Sequence, residues 1–173
     1  MNIAYAMPPG RGDTDRLLSK LAWHLESRGL RVCGTVQANT NRLYDGPCDM
    51  DVRVLPEGPV IRISQDLGPG ARGCRLDSAA LETAVGLVET RLEHGADVLV
   101  VNKFSKHEAE GRGFRAAIAD ALSRDIPVLV GLNELNRPAF EAFTDGMAER
   151  LPPELDRLEA WVLDQVARRS CIA

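Results

Sequence analysis

Short apolar runs alternate along this chain with longer segments of helical spacing. Asn2-Ile3-Ala4-Tyr5-Ala6-Met7 is apolar and is stopped at once by Pro8, Pro9 and Gly10, as a short buried strand would be. Over residues 15–28, Leu17, Leu18, Leu21, Ala22 and Leu25 recur at helical spacing, and Gly29 supplies the stop. Residues 31–37 read as a second strand. Residues 38–58 are polar and turn-rich, with Asn39, Asn41, Asp45, Gly46 and Pro47, and then alternate through Val52-Arg53-Val54-Leu55, which predicts a small hairpin insertion. A short strand over 60–64 leads into a glycine- and arginine-rich loop over 66–75. Asp77 is placed as an N-cap, with Leu76 and Leu81 as a hydrophobic staple, for a helix that turns Leu81, Val85, Val88 and Leu92 inward. A buried strand over 97–102, a polar loop, a helix over 114–124, a strand over 127–132, a short helix over 138–143 and a terminal helix over 154–169 complete the pattern.

Strands alternating with helices predict an α/β fold, a three-layer sandwich whose mostly parallel sheet is covered on both faces. Ligands of such sheets bind beyond the carboxyl ends of the strands. That rule singles out the loops after Met7, Ser64, Asn102 and Leu132. At 173 residues, without repeat or linker, residues 1–173 read as a single domain with a sizeable core. The net charge of −4 supplies no global basic field for nucleic acid. No apolar run approaches the length of a membrane span, so a cytoplasmic protein without membrane insertion is expected. Cys33, Cys48, Cys74 and Cys171 form no C-x-x-C pair and have no ligand spacing with His24, His94 or His107, so neither a disulfide framework nor a metal site is expected.

The loop between the first strand and first helix falls where a phosphate-binding loop belongs. Laid on G-x-x-x-x-G-K-[ST], Met7-Pro8-Pro9-Gly10-Arg11-Gly12-Asp13-Thr14 keeps Gly12 and Thr14, but has Met7 for the first glycine and Asp13 for the lysine. An acid in place of that lysine turns an attraction for phosphate into a repulsion on the order of 4 kcal/mol at about 4 Å and an effective dielectric near 20. Two readings follow. In one, Asp13 or Thr14 caps the helix and satisfies its free amides. In the other, Gly10, Arg11, Gly12 and Thr14 still cradle an anion, with Arg11 as the cation.

Beyond the buried strand, Asn102-Lys103-Phe104-Ser105-Lys106-His107-Glu108 forms the second candidate loop. A hydrolytic phosphate-loop enzyme places an acid at the position of Asn102 to hold magnesium. Asparagine offers oxygen without charge, or simply bonds nearby backbone. Glu108 could activate water, or be a solvated loop acid. Arg62, Arg72, Arg75, Lys103, Lys106, Arg112 and Arg115 crowd the middle third, a set suited to an anionic ligand or to a solvated surface. Gly111 and Gly113 permit close approach to a ligand or a mobile turn, and Cys74 is either a reactive thiol or a small packed side chain.

On these residues the loop from Asn102 to Glu108 resembles the D-E-I-G-K-M-E segment of a nucleoside-triphosphatase family related to adenylate-type kinases. More closely, the chain resembles a bacterial family known as domain of unknown function 2478. That resemblance rests on N-[KR]-F-x-K-x-E-A-E-G-R-G-F, here Asn102 to Phe114, and on G-C-R-L-D, here Gly73 to Asp77. It covers about the first 145 residues. Members of that family often stand near molybdate-uptake genes, so the resemblance implies a molybdenum link.

The expected function is a degenerate phosphate-loop-like binding or regulatory protein, without standard nucleotide hydrolysis. Its ligand would be a nucleotide or a small oxyanion such as molybdate. Gly10, Arg11, Gly12 and Thr14 would form one wall, and Cys74, Arg75, Lys103, Lys106, Arg112 and Arg115 the other, with Asn102 between them. A protein partner is compatible with such a role. One alternative is a divergent magnesium-dependent triphosphatase or phosphotransferase using Glu108; another is a structural interaction protein with a dead site.

Overall fold

A computed structural model describes residues 2–10, 12–40, 49–67 and 75–170, without the side chains of residues 39 and 40. Among these residues a seven-stranded sheet runs in the order β4-β3-β2-β5-β6-β1-β7. The strands are β1 (Ile3–Ala6), β2 (Val32–Thr40), β3 (Asp49–Leu55), β4 (Val60–Arg62), β5 (Val98–Val101), β6 (Val128–Gly131) and β7 (Glu149–Leu151). From β2 to β7 every neighbouring pair is parallel, whereas β3 and β4 join antiparallel beyond β2. The expected hairpin insertion is therefore the β2–β3 pair, with Gln37 opposite Val52 and Thr40 opposite Asp49. Its turn, residues 41–48, lies outside the described residues.

Alternation along each buried strand divides the core into two layers. Ile3, Tyr5, Leu99, Val101, Val128 and Val130 face one side, where α2 (Ser78–Glu93) contributes Leu81, Val85, Val88 and Leu92. On that side α4 (Arg115–Ser123) brings Ala117, Ile118 and Ala121, and α5 (Arg137–Phe143) brings Phe140. Ala4, Ala6, Val98, Val100 and Leu129 face the other side. There α1 (Asp13–Ser27) packs Leu18, Leu21 and Leu25 beside Leu158, Trp161 and Val162 of α6 (Leu155–Ser170). A strand wetted on neither face must be apolar at both parities, and the sequence shows this as runs without strict alternation.

Two elements have no hydrophobic periodicity to mark them. The single-turn helix α3 (Lys106–Ala109) occupies what reads as a polar loop, and β7 has the sequence Glu-Arg-Leu with only Leu151 buried. β7 exists because β1 offers it an open parallel edge, pairing Ala4 with Glu149 and Ala6 with Leu151. Asp77 caps α2 as expected, its carboxylate accepting from the Ala80 amide at 3.0 Å. No described helix is long and apolar enough to cross a membrane.

Candidate functional site at the carboxyl ends of β1, β5 and β6

β1 leads directly into the turn that opens α1. The structure differs here from the expected side-chain cap. Gly12 is the N-cap, in the left-handed region at φ 79°, and no side chain caps the helix. Asp13 is instead the first helical residue. Its amide donates to the Gly10 carbonyl at 3.2 Å, and its carboxylate pairs with Arg16 one turn on. That carboxylate also folds over Gly10, so a Cβ at position 10 would collide with it. Glycine suits position 12 for its left-handed backbone angle, whereas a side chain at 10 would displace the Asp13 carboxylate.

β5 delivers Asn102 to the same end of the sheet. Between β5 and β1 lies β6, and contact between Asn102 and α1 must cross its last residue, Gly131. A Cβ there would overlap the Asn102 carbonyl and lie 2.5 Å from Thr14 Cγ2. The missing side chain is what lets the two loops meet. A lone glycine ending an apolar strand run is the sequence signal of such an approach.

What meets there is a buried polar network. Asn102 Nδ2 donates to Asp15 Oδ1 at 2.8 Å, and Asn102 Oδ1 accepts from the Gln37 amide at 3.0 Å. The Lys103 ammonium lies 2.9 Å from the same Asp15 oxygen and donates to Gln37 Oε1 at 3.4 Å. Asp15, Gln37 and Asn102 are buried, while the Lys103 side chain stays 43% exposed and so reaches solvent from within the network. Asp15 and Gln37 went unrecognised as site residues. No local pattern marks Asp15, and its burial depends on strands far along the chain.

The other expected residues have identifiable partners. Arg75 pairs with Asp49 at 3.5 Å, and Arg62 with Asp49 and Asp51 at 3.0 Å each, at the β3–β4 edge. Lys106 and Arg112 share Glu110, at 3.6 and 2.6 Å. The Arg112 hydrogen bond is the first cause holding the Glu110 carboxyl below the usual glutamate range. The Arg115 guanidinium lies over the Phe143 ring, 4.3 Å from its centroid. Among the described residues, Lys103 is an expected cation that the structure ties to α1, through Asp15. Arg11, Arg72 and Cys74 lie outside the described residues.

Glu108 is buried within α3's own turn. Oε2 accepts from the Ser105 amide at 2.8 Å and from the Ser105 hydroxyl at 2.6 Å, forming a capping box, and Oε1 faces the Phe114 amide at 3.4 Å. Gly113, at φ 59°, leaves the space this carboxylate occupies. Next to it the buried His107 ring donates from Nε2 to Glu82 Oε1 at 2.7 Å, and the Gly113 amide donates to the same oxygen at 3.0 Å. The His107 hydrogen bond leads the causes that hold the Glu82 carboxyl below its ordinary range; partial burial opposes it. These bonds tie the 105–114 loop to α2. A groove of about 450 Å³ opens beside Glu82 and Arg112, and no residue of the Asp15 network lines it.

The comparisons with known proteins agree with this architecture. A family described as a protein of unknown function (DUF2478) matches residues 3–161. The chain is 39% identical over 159 residues to the molybdenum import ATP-binding protein ModC 2 of Bradyrhizobium diazoefficiens. That match takes in 90% of this chain but only 17% of the length of that protein. The fold is similar to the solution structure of a human cancer-related nucleoside triphosphatase, with a TM-score of 0.61 at 21% identity over 98% of this chain and 97% of the other. The α/β fold with its mostly parallel sheet is thus the fold of that nucleoside triphosphatase.

Proposed function

The chain belongs to the family described as a protein of unknown function (DUF2478), and on that premise we propose that it binds a nucleotide or small oxyanion as a regulatory or accessory protein, without standard triphosphate hydrolysis. One observation carries the reading. The N-terminus of α1 opens at the carboxyl ends of the strands with no side-chain cap, beside the solvent-reaching ammonium of Lys103, while the two positions that drive hydrolysis hold Asp13 and Asn102. Uncapped amides and the helix dipole favour an anion there. Gly10, Arg11, Gly12 and Thr14 would form the cradle, with Lys103 opposite and Lys106, Arg112 and Arg115 on the following loops. The molybdenum import role printed for the 39% identical relative supports molybdate among the ligands to be tried.

Hydrolysis in this fold needs a lysine on the β- and γ-phosphates and an acid anchoring magnesium. Asp13 stands in the lysine's place and repels phosphate, and Asn102 supplies no charge to anchor magnesium. Thermal unfolding with ATP, GTP, ADP, phosphate, sulfate, molybdate and tungstate tests the reading. A ligand at a hundred-fold excess over its Kd stabilises by about 2.7 kcal/mol, which a melting curve resolves. An unchanged Tm with every one of them overturns binding. Magnesium-dependent ATP turnover that is lost in Glu108→Gln overturns the absence of hydrolysis.

A further inference from the structure

We propose that the Lys103 ammonium is a built-in substitute for the divalent cation of a phosphate-loop site, so that the ligand is held without magnesium. The residues present do not fit a divalent ion. Asn102 turns its Nδ2, not its oxygen, toward Asp15, because its Oδ1 is engaged by the Gln37 amide. Asp15 Oδ1 already accepts the Asn102 side-chain amide at 2.8 Å and lies 2.9 Å from the Lys103 ammonium. Gln37 Oε1 faces the same ammonium at 3.4 Å. A metal ion bound to this oxygen would sit against a fixed positive charge.

The ammonium has the properties the substitution requires. It follows directly on Asn102 at the end of β5, and the carboxylate it neutralises is on α1, one residue after Thr14. Asp15's side chain is 4% exposed, so its charge needs a partner at close range, whereas Lys103 remains open to solvent on its outer side. An ammonium has three N–H groups; two point to Asp15 and Gln37, and the third is available to an anionic oxygen. One cation can thus bridge the buried acid and a bound anion, as a metal ion does elsewhere. Asp15 acts here as a positioning residue.

The proposal rests on the anion-binding reading only for the ligand; its test contains no nucleotide or oxyanion, so each can fail without the other. Thermal unfolding of the wild type, Lys103→Arg and Lys103→Met is compared in chelator and in millimolar Mg²⁺ or Mn²⁺. The wild type and Lys103→Arg are expected to show the same Tm in both. Lys103→Met removes the fixed positive charge beside Asp15 Oδ1 and is expected to bind Mn²⁺ roughly ten-fold or more tightly than the wild type. An equal shift in the wild type, or no shift in a folded Lys103→Met, overturns the substitution. Mn²⁺ electron paramagnetic resonance needs no variant to fold. A free-ion signal undiminished by the wild type supports the proposal, and stoichiometric loss of that signal, competed by Mg²⁺, overturns it.

Discussion

At the residue scale, the closeness of the two candidate loops depends on one missing side chain. Gly131 lies under the Asn102 carbonyl and against Thr14, and a methyl group there has to push backbone rather than a flexible side chain. Gly131→Ala is expected to lower the unfolding free energy by about 1–3 kcal/mol, read from urea midpoints, and to weaken whatever ligand the wild type binds. Glu108 presents a different case. Three donors converge on a nearly fully buried carboxylate, so Glu108→Ala leaves the Ser105 turn without its cap and is expected to cost about 1–2 kcal/mol in the same measurement. Glu108→Gln keeps the size and one acceptor oxygen and should cost less. Cys33 is buried under α2, and desolvation pushes its thiol up to about 11, so at pH 8 it is protonated. Peptide mapping after iodoacetamide treatment is expected to find Cys33 unmodified in the native protein and modified after unfolding.

At the scale of elements, the 105–114 loop is held to α2 by the Glu82–His107 pair and to α5 by aromatic contacts. Phe104 packs edge-on to Phe140, with centroids 5.1 Å apart, and stacks on Phe143 at 5.8 Å. The acid limb of stability follows from Glu82. Its folded pKa lies below the unfolded value, chiefly through the His107 hydrogen bond. The contribution is therefore fully present above the ordinary glutamate range and is lost as pH falls through the folded pKa. Glu82→Gln is expected to flatten the fall in urea midpoint over that acid window. An unchanged acid slope in the variant would show that the loop is secured by the phenylalanines instead. Hydrophobic periodicity does not mark α3 within this polar loop. Its four residues close only one turn, and the capping box that defines it uses Ser105 and Glu108, three residues apart in a segment too short for hydrophobic periodicity.

At the scale of the whole molecule, the sheet has two separate apolar faces, and each should carry comparable weight. Leu99 faces α2 and Leu129 faces α1, both without solvent exposure, so Leu99→Ala and Leu129→Ala are each expected to cost about 2–5 kcal/mol by urea unfolding. Most strands of this sheet, its hairpin insertion and most helices were legible in the sequence, since burial on both faces demands apolar runs such as Val98-Leu99-Val100-Val101. Candidate loops were legible too, because parallel strands bring their carboxyl ends to one edge. β7 was not legible, since its pairing depends on an edge that β1 exposes only after folding. Local pattern also placed an acid at position 13 and an amide at position 102, and so marked the loss of two charges that hydrolysis requires. Tertiary structure alone decided where those residues' neighbours point. Asp15 comes from the first helix, Gln37 from the second strand and Lys103 from beyond the fifth, and no periodicity links them. Gln37 is reached across the neighbouring β2–β5 pair, whereas the contacts to Asp15 depend on crossing β6 at a glycine, a distance set by the sheet order rather than by any stretch of chain.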